Sequence, residues 1–69
     1  MDKDLLEDIF ISVRPYICNA EMIKSFIEDN SDSGHDSFIN ELRDTIDKSK
    51  GTDRTDFQIL LNAVEKHHL

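Results

Sequence analysis

Apolar residues recur along this chain with the period of a helix, in four blocks separated by short polar stretches. In the first block Leu6, Ile9, Phe10 and Val13 fall at i, i+3, i+4 and i+7, and Leu5 widens the stripe. This spacing predicts a helix over about 4–14. Asp4 with Glu7 three residues later has the form of a capping box. Pro15 disfavours helical geometry at Arg14 and removes a donor, so the helix should stop or kink there. Ile11 lies off the stripe.

Two readings are open for the next block. Asn19 can cap a helix over Ala20–Asp29, with Cys18 and Ile23 forming a hydrophobic staple. Alternatively Pro15 is the first helical residue, and Tyr16, Ala20, Ile23 and Ile27 make one longer stripe. The cap favours the first, giving a helix over about 19–29. In either case Met22, Ile23, Phe26 and Ile27 face inward.

The third block, 37–50, carries Phe38, Ile39, Leu42 and Ile46 on one face. Asp44 and Lys48 form an i, i+4 pair in the favourable order, and Lys48 and Lys50 suit the negative end of the helix dipole. Gly51 is a natural left-handed stop. In the fourth block Thr55 and Gln58 have capping-box spacing, followed by Phe57, Leu60, Leu61 and Val64, so a helix is expected over about 55–68. Ile59 lies off that stripe, and His67 and His68 close the helix. No strand pattern competes. The expected fold is all-α: a single domain over 1–69, a small four-helix bundle with short loops and successive helices roughly antiparallel.

Size and charge narrow the function. At 69 residues the chain supports only a thin stability margin from one core. Cys18 is its only cysteine, so no disulfide forms within the chain, and a homodimer with an apolar seam is the natural supplement. No apolar run approaches the roughly 20 residues of a membrane span. The start, Met1-Asp2-Lys3-Asp4, is acidic where a signal peptide would be basic, and the expected location is the cytoplasm. Net charge is −7, and residues 1–37 carry most of it, with nine Asp/Glu against three Lys/Arg. Such a surface repels phosphate, which argues against nucleic acid and fits a protein partner with a basic surface.

Candidate chemistry concentrates in the polar joint Asp29–Ser37. Asp29, Ser31, Ser33 and Gly34 stand at the first, third, fifth and sixth places of a run that resembles an EF-hand calcium loop. Asp36 occupies the eighth place and Asn40 the twelfth, where that family has an apolar residue and a bidentate glutamate. Gly34-His35-Asp36-Ser37-Phe38, followed by Glu41-Leu42, resembles the attachment motif of acyl and peptidyl carrier proteins. That resemblance implies phosphopantetheine tethered on Ser37, although the Glu-Leu pair arrives one residue early and the chain after Ser37 is short for a carrier. Ile17-Cys18-Asn19-Ala20 is similar to a segment of the colicin DNase immunity proteins, whose Tyr-Tyr-Pro segment is absent here. The plain alternative for the joint is a polar loop in which Ser33 with Asp36, or Ser37, caps the next helix.

Adjacent His67 and His68 project about 100° apart on a helix and do not chelate together. Cys18 has no local activation, and two glycines make no phosphate loop. The expectation is a non-enzymatic module without metal or cofactor, binding and regulating another protein. Its expected contact residues are Asp4, Glu7, Asp8, Glu28, Asp29 and Asp32 on an acidic face, with Ile11 and Ile59 as apolar contacts.

Overall fold

A computed structural model describes residues 3–67. The described chain forms four helices: α1 (Lys3–Val13), α2 (Ala20–Asp29), α3 (His35–Lys48) and α4 (Gly51–Lys66), with no strand. A single 3-10 turn, Arg14–Tyr16, follows α1 and carries Pro15. The all-α, four-helix expectation is met. The Cα radius of gyration, 10.7 Å, is close to the ~11 Å expected of a packed chain this long. Helix α4 is the hub, packing against α1, α2 and α3.

The core is the one the stripes point to. Leu6 and Ile9 of α1 meet Ile23 and Ile27 of α2, Phe38, Leu42 and Ile46 of α3, and Phe57, Leu60 and Val64 of α4, and Val13 is buried as well. Phe10, Met22, Ile39 and Leu61 are half-buried around this centre. Phe26 of α2 sits edge-on to two rings, Phe38 at 5.6 Å and Phe57 at 5.4 Å between centroids. Each such pair adds about 0.5–1.5 kcal/mol beyond area burial, and together they tie α2 to α3 and α4.

Helix boundaries depart from the expected ones for local reasons. Helix α1 begins at Lys3, so Asp4 lies inside its first turn instead of capping it, and the helix ends at Val13. Asn19 does cap α2, its side-chain oxygen accepting from the Met22 N–H at 3.2 Å. Cys18 is exposed and forms no staple, while Ile17 packs against the core in its place. Tyr16 is 73 % exposed, which rules out the longer stripe through Pro15. Helix α3 starts at His35, with Gly34 as its N-cap and no side-chain cap. Gly34 thus holds the cap position, and Asp36 and Ser37 lie inside the first turn of the helix. The Asp44–Lys48 pair forms at 2.9 Å, and the hydrogen bond and charge of Asp44 hold the Lys48 ammonium above the ordinary lysine range.

The largest departure concerns α4, which starts one turn early, at Gly51. Only Ser49 and Lys50 separate it from α3, and Gly51 takes φ +63°, the left-handed value foreseen for a stop. Here that value turns the chain straight into the next helix. Thr55 is then inside α4, its hydroxyl donating to the Gly51 carbonyl at 3.3 Å, and it caps nothing. The earlier start also makes Asp56 an interior residue, one turn before Leu60 and two before Val64 on the buried face, and only 1 % exposed. Its carboxylate accepts from the Cys18 N–H at 2.9 Å and the Asn19 N–H at 2.8 Å, pinning the start of α2 to α4. His67 follows α4 as its C-cap. The expected extension through His68 lies outside the described residues.

Asp56→Ala is therefore expected to lower stability by about 2–4 kcal/mol, since it strands two backbone donors that a carboxylate satisfied. Thr55→Ala is expected to cost less than about 0.5 kcal/mol, where a true N-cap would lose about 1. Urea denaturation of both variants checks the pair; equal losses would contradict the arrangement.

Candidate functional site

On α1, residues Asp4, Glu7 and Ile11 follow i, i+3, i+7 spacing and share one helix face. On α2, Lys24, Ile27, Glu28 and Ser31 follow i, i+3, i+4, i+7, running from the helix into the turn after it. The two faces meet as the walls of a groove of about 520 Å³, lined also by Lys3 and Phe10. Buried Ile27 and half-buried Phe10 give it an apolar floor. Ile11 stands at its side, 64 % exposed. An isoleucine this open, beside a phenylalanine and between carboxylates, leaves apolar area in water that a partner could cover.

Of the residues expected to bind a partner, the fold brings Asp4, Glu7, Glu28 and Ile11 to this groove. Asp8, Asp29 and Asp32 are exposed but do not line it. Ile59 is not brought there: it is half-buried in a different groove, between α1 and α4, beside Tyr16. Ile11 and Ile59 thus do not form one apolar patch. Phe10 and Lys24 were not foreseen as site residues. Phe10 reads as core because it sits on the α1 stripe, yet it is only half-buried and lines the groove.

Lys3 and Lys24 share the groove with Asp4, Glu7 and Glu28, so its lining holds three acidic and two basic side chains. Glu28 and Asp29 occupy the last turn of α2, which holds no basic residue. A helix C-terminus carries partial negative charge, so these carboxylates sit where they are disfavoured. The turn that follows meets the backbone's demands in another way. The Asn30 side-chain amide donates to the Phe26 carbonyl at 2.9 Å, and the Ser31 hydroxyl donates to the Glu28 carbonyl at 3.1 Å. Glu7, Asp8, Glu28, Asp29 and Asp32 enter no ion pair among the described residues, whereas Arg43–Glu65 and Asp44–Lys48 both belong to the second half of the chain.

The polar joint takes a shape different from either loop it resembles. Helix α2 runs through Asp29 and α3 begins at His35, so only residues 30–34 are non-helical, closed by a Ser33 N–H to Asn30 carbonyl bond at 3.1 Å. The twelve-place run from Asp29 to Asn40 is split between two helices and is not one loop. Ser37 is exposed as the third residue of α3, inside its first turn. Among the described residues no group of three His, Cys, Asp or Glu side chains is placed to hold a metal ion, and no helix is long and apolar enough to cross a membrane.

The chain belongs to the MJ1579 family, whose model matches residues 3–68 and so spans all four helices. No curated protein and no solved structure matches it.

At the C-terminus of α2 a cation is favoured over a carboxylate. Glu28→Lys and Asp29→Lys are each expected to raise folding stability by roughly 0.3 kcal/mol or more at low salt, with the gain shrinking as salt is added. Thermal melts at two ionic strengths measure it; a loss of stability would contradict the placement of these charges.

Proposed function

We propose that this protein is a non-catalytic interaction module that binds and regulates another protein through the α1–α2 groove. The observation that carries the reading is the junction of exposed Ile11 and half-buried Phe10 with the carboxylates of Asp4, Glu7 and Glu28 in one groove. An apolar centre with a charged rim is the general anatomy of a protein–protein contact. Lys3 and Lys24 stand among these carboxylates, and the −6 charge of residues 1–37 as a whole favours a partner with a basic surface and speeds the encounter.

A second consideration supports the same surface. Glu28 and Asp29 stand at a helix end that disfavours negative charge, and neither forms an ion pair among the described residues. Residues that cost stability without an internal benefit are characteristic of binding surfaces. A cytoplasmic setting, free of nucleic acid and membrane, belongs to this reading. The carrier alternative keeps Ser37 as its one testable residue, accessible in the first turn of α3. Nothing around that hydroxyl favours it over the groove.

With the partner captured from the native host, Ile11→Asp is expected to weaken binding at least tenfold at all salt concentrations, by about 1.4 kcal/mol or more. The triple reversal of Asp4, Glu7 and Glu28 to lysine is expected to slow association and flatten its salt dependence. Calorimetry and stopped-flow measurements read both. Unchanged affinity in Ile11→Asp together with an unchanged salt slope in the triple variant would overturn the reading.

A further inference from the structure

Helix α2 is the least embedded of the four. It buries two side chains, Ile23 and Ile27, where α1 and α3 bury three each and α4 buries four. The broadest packing runs between α3 and α4 and between α1 and α4, and α2 makes narrower contacts with α1 and α4. Non-helical segments flank it on both sides, residues 17–19 before it and 30–34 after it. Its last turn holds Glu28 and Asp29, charges that the helix dipole disfavours there. Two ties supplement its apolar contacts. Asp56 accepts the Cys18 and Asn19 N–H groups at 2.9 and 2.8 Å, and Phe26 lies edge-on to Phe38 and Phe57. When the first tie parts, water hydrates the carboxylate and both amides and recovers much of what the bonds supplied. A segment with little buried apolar surface opens before the rest of a domain.

We propose that α2 opens as a unit, swinging on residues 17–19 and 30–34 while α1, α3 and α4 stay packed, and that Asp56 is its latch. Opening uncovers the Phe38 and Phe57 rings and removes the Lys24, Ile27 and Glu28 wall of the α1–α2 groove. The groove therefore exists only with α2 closed, and anything bound there holds the latch shut. That consequence rests on the groove being the binding surface proposed above. The opening itself does not, and it is measured on the free protein.

Native-state hydrogen exchange of the full chain, read residue by residue by NMR, tests it. The slow amides of α2 should share similar protection factors, at least tenfold below those of the slowest amides of α4. Ile39→Ala separates this opening from unfolding of the whole chain. Ile39 is half-buried and lines the α3–α4 side with Glu65, a contact that the open form keeps. The substitution should speed exchange of the slowest α4 amides at least threefold and leave α2 unchanged. Asp56→Asn turns one acceptor of the latch into a donor and should speed α2 exchange at least tenfold. Phe26→Leu removes the ring contacts and should speed it at least threefold. Protection of α2 equal to that of α4 overturns the proposal, as does Ile39→Ala speeding both alike. Unchanged α2 exchange in Asp56→Asn or Phe26→Leu overturns it too. So does complete loss of helical circular dichroism in Asp56→Asn, because α1, α3 and α4 then do not hold together without the latch. None of these readouts involves a partner, so failure here is separable from failure of the proposed function.

Discussion

The buried carboxylate of Asp56 is the contact on which the arrangement of the bundle turns. It accepts two backbone N–H groups, from Cys18 and Asn19, across 38 and 37 residues of sequence. A carboxylate that is 1 % exposed would be costly if unpaired. Two successive donors at the entrance to a helix offset that cost, because their dipoles point at the charge and the α2 N-terminus adds its own. No buried side-chain nitrogen or oxygen is left without a partner among the described residues. Apolar stripes can slide against one another by small amounts with little penalty. A pair of directed hydrogen bonds cannot, so Asp56 sets where α2 begins relative to α4.

That registration carries through to the surface. With its start fixed by Asp56 and its middle fixed by Phe26 against Phe38 and Phe57, α2 presents a definite face to α1. Lys24, Ile27 and Glu28 then stand opposite Asp4, Glu7 and Ile11, and the groove between them follows. A shift of α2 by one turn, about 5.4 Å, would move Glu28 away from the apolar floor. The groove is thus a property of the packing that Asp56 directs, although Asp56, on α4, does not itself line it.

Charge is distributed against local helix stability on this face and with it elsewhere. Asp53 lies in the first turn of α4 and Lys66 in its last; Asp36 lies in the first turn of α3 and Lys48 in its last, all in the sense the helix dipole favours. Helix α2 breaks the rule at its C-terminus, where Glu28 and Asp29 lie in a last turn that holds no basic residue. The backbone there is satisfied by Asn30 and Ser31, neutral groups that supply donors to carbonyls without altering the charge. Capping and surface charge are therefore handled by different residues in this turn. The acidic surface is kept while the helix end is closed.

Periodicity alone specifies four helices and nearly every core residue, from Leu6 and Ile9 to Leu60 and Val64. Burial of a stripe is a local consequence of spacing, and few folds of 69 residues can satisfy four such stripes at once. The Asn19 cap and the Asp44–Lys48 pair were legible for the same reason, since each links residues three or four apart. The joint at 29–37 was legible only as a polar break. Whether it formed a twelve-place loop or a short turn depended on how far α2 and α3 extended into it. Asp56 was hidden by a competing local signal, the Thr55–Gln58 box, although its place one turn before Leu60 put it on the buried stripe. Only the tertiary structure could decide between them. The donors that make a buried aspartate tolerable belong to Cys18 and Asn19, and no local spacing reveals that the fold brings them there. The acidic groove is a similar case. The sequence sets which residues share a face of α1 and which share a face of α2, while the packing of one helix on the other decides that those faces meet.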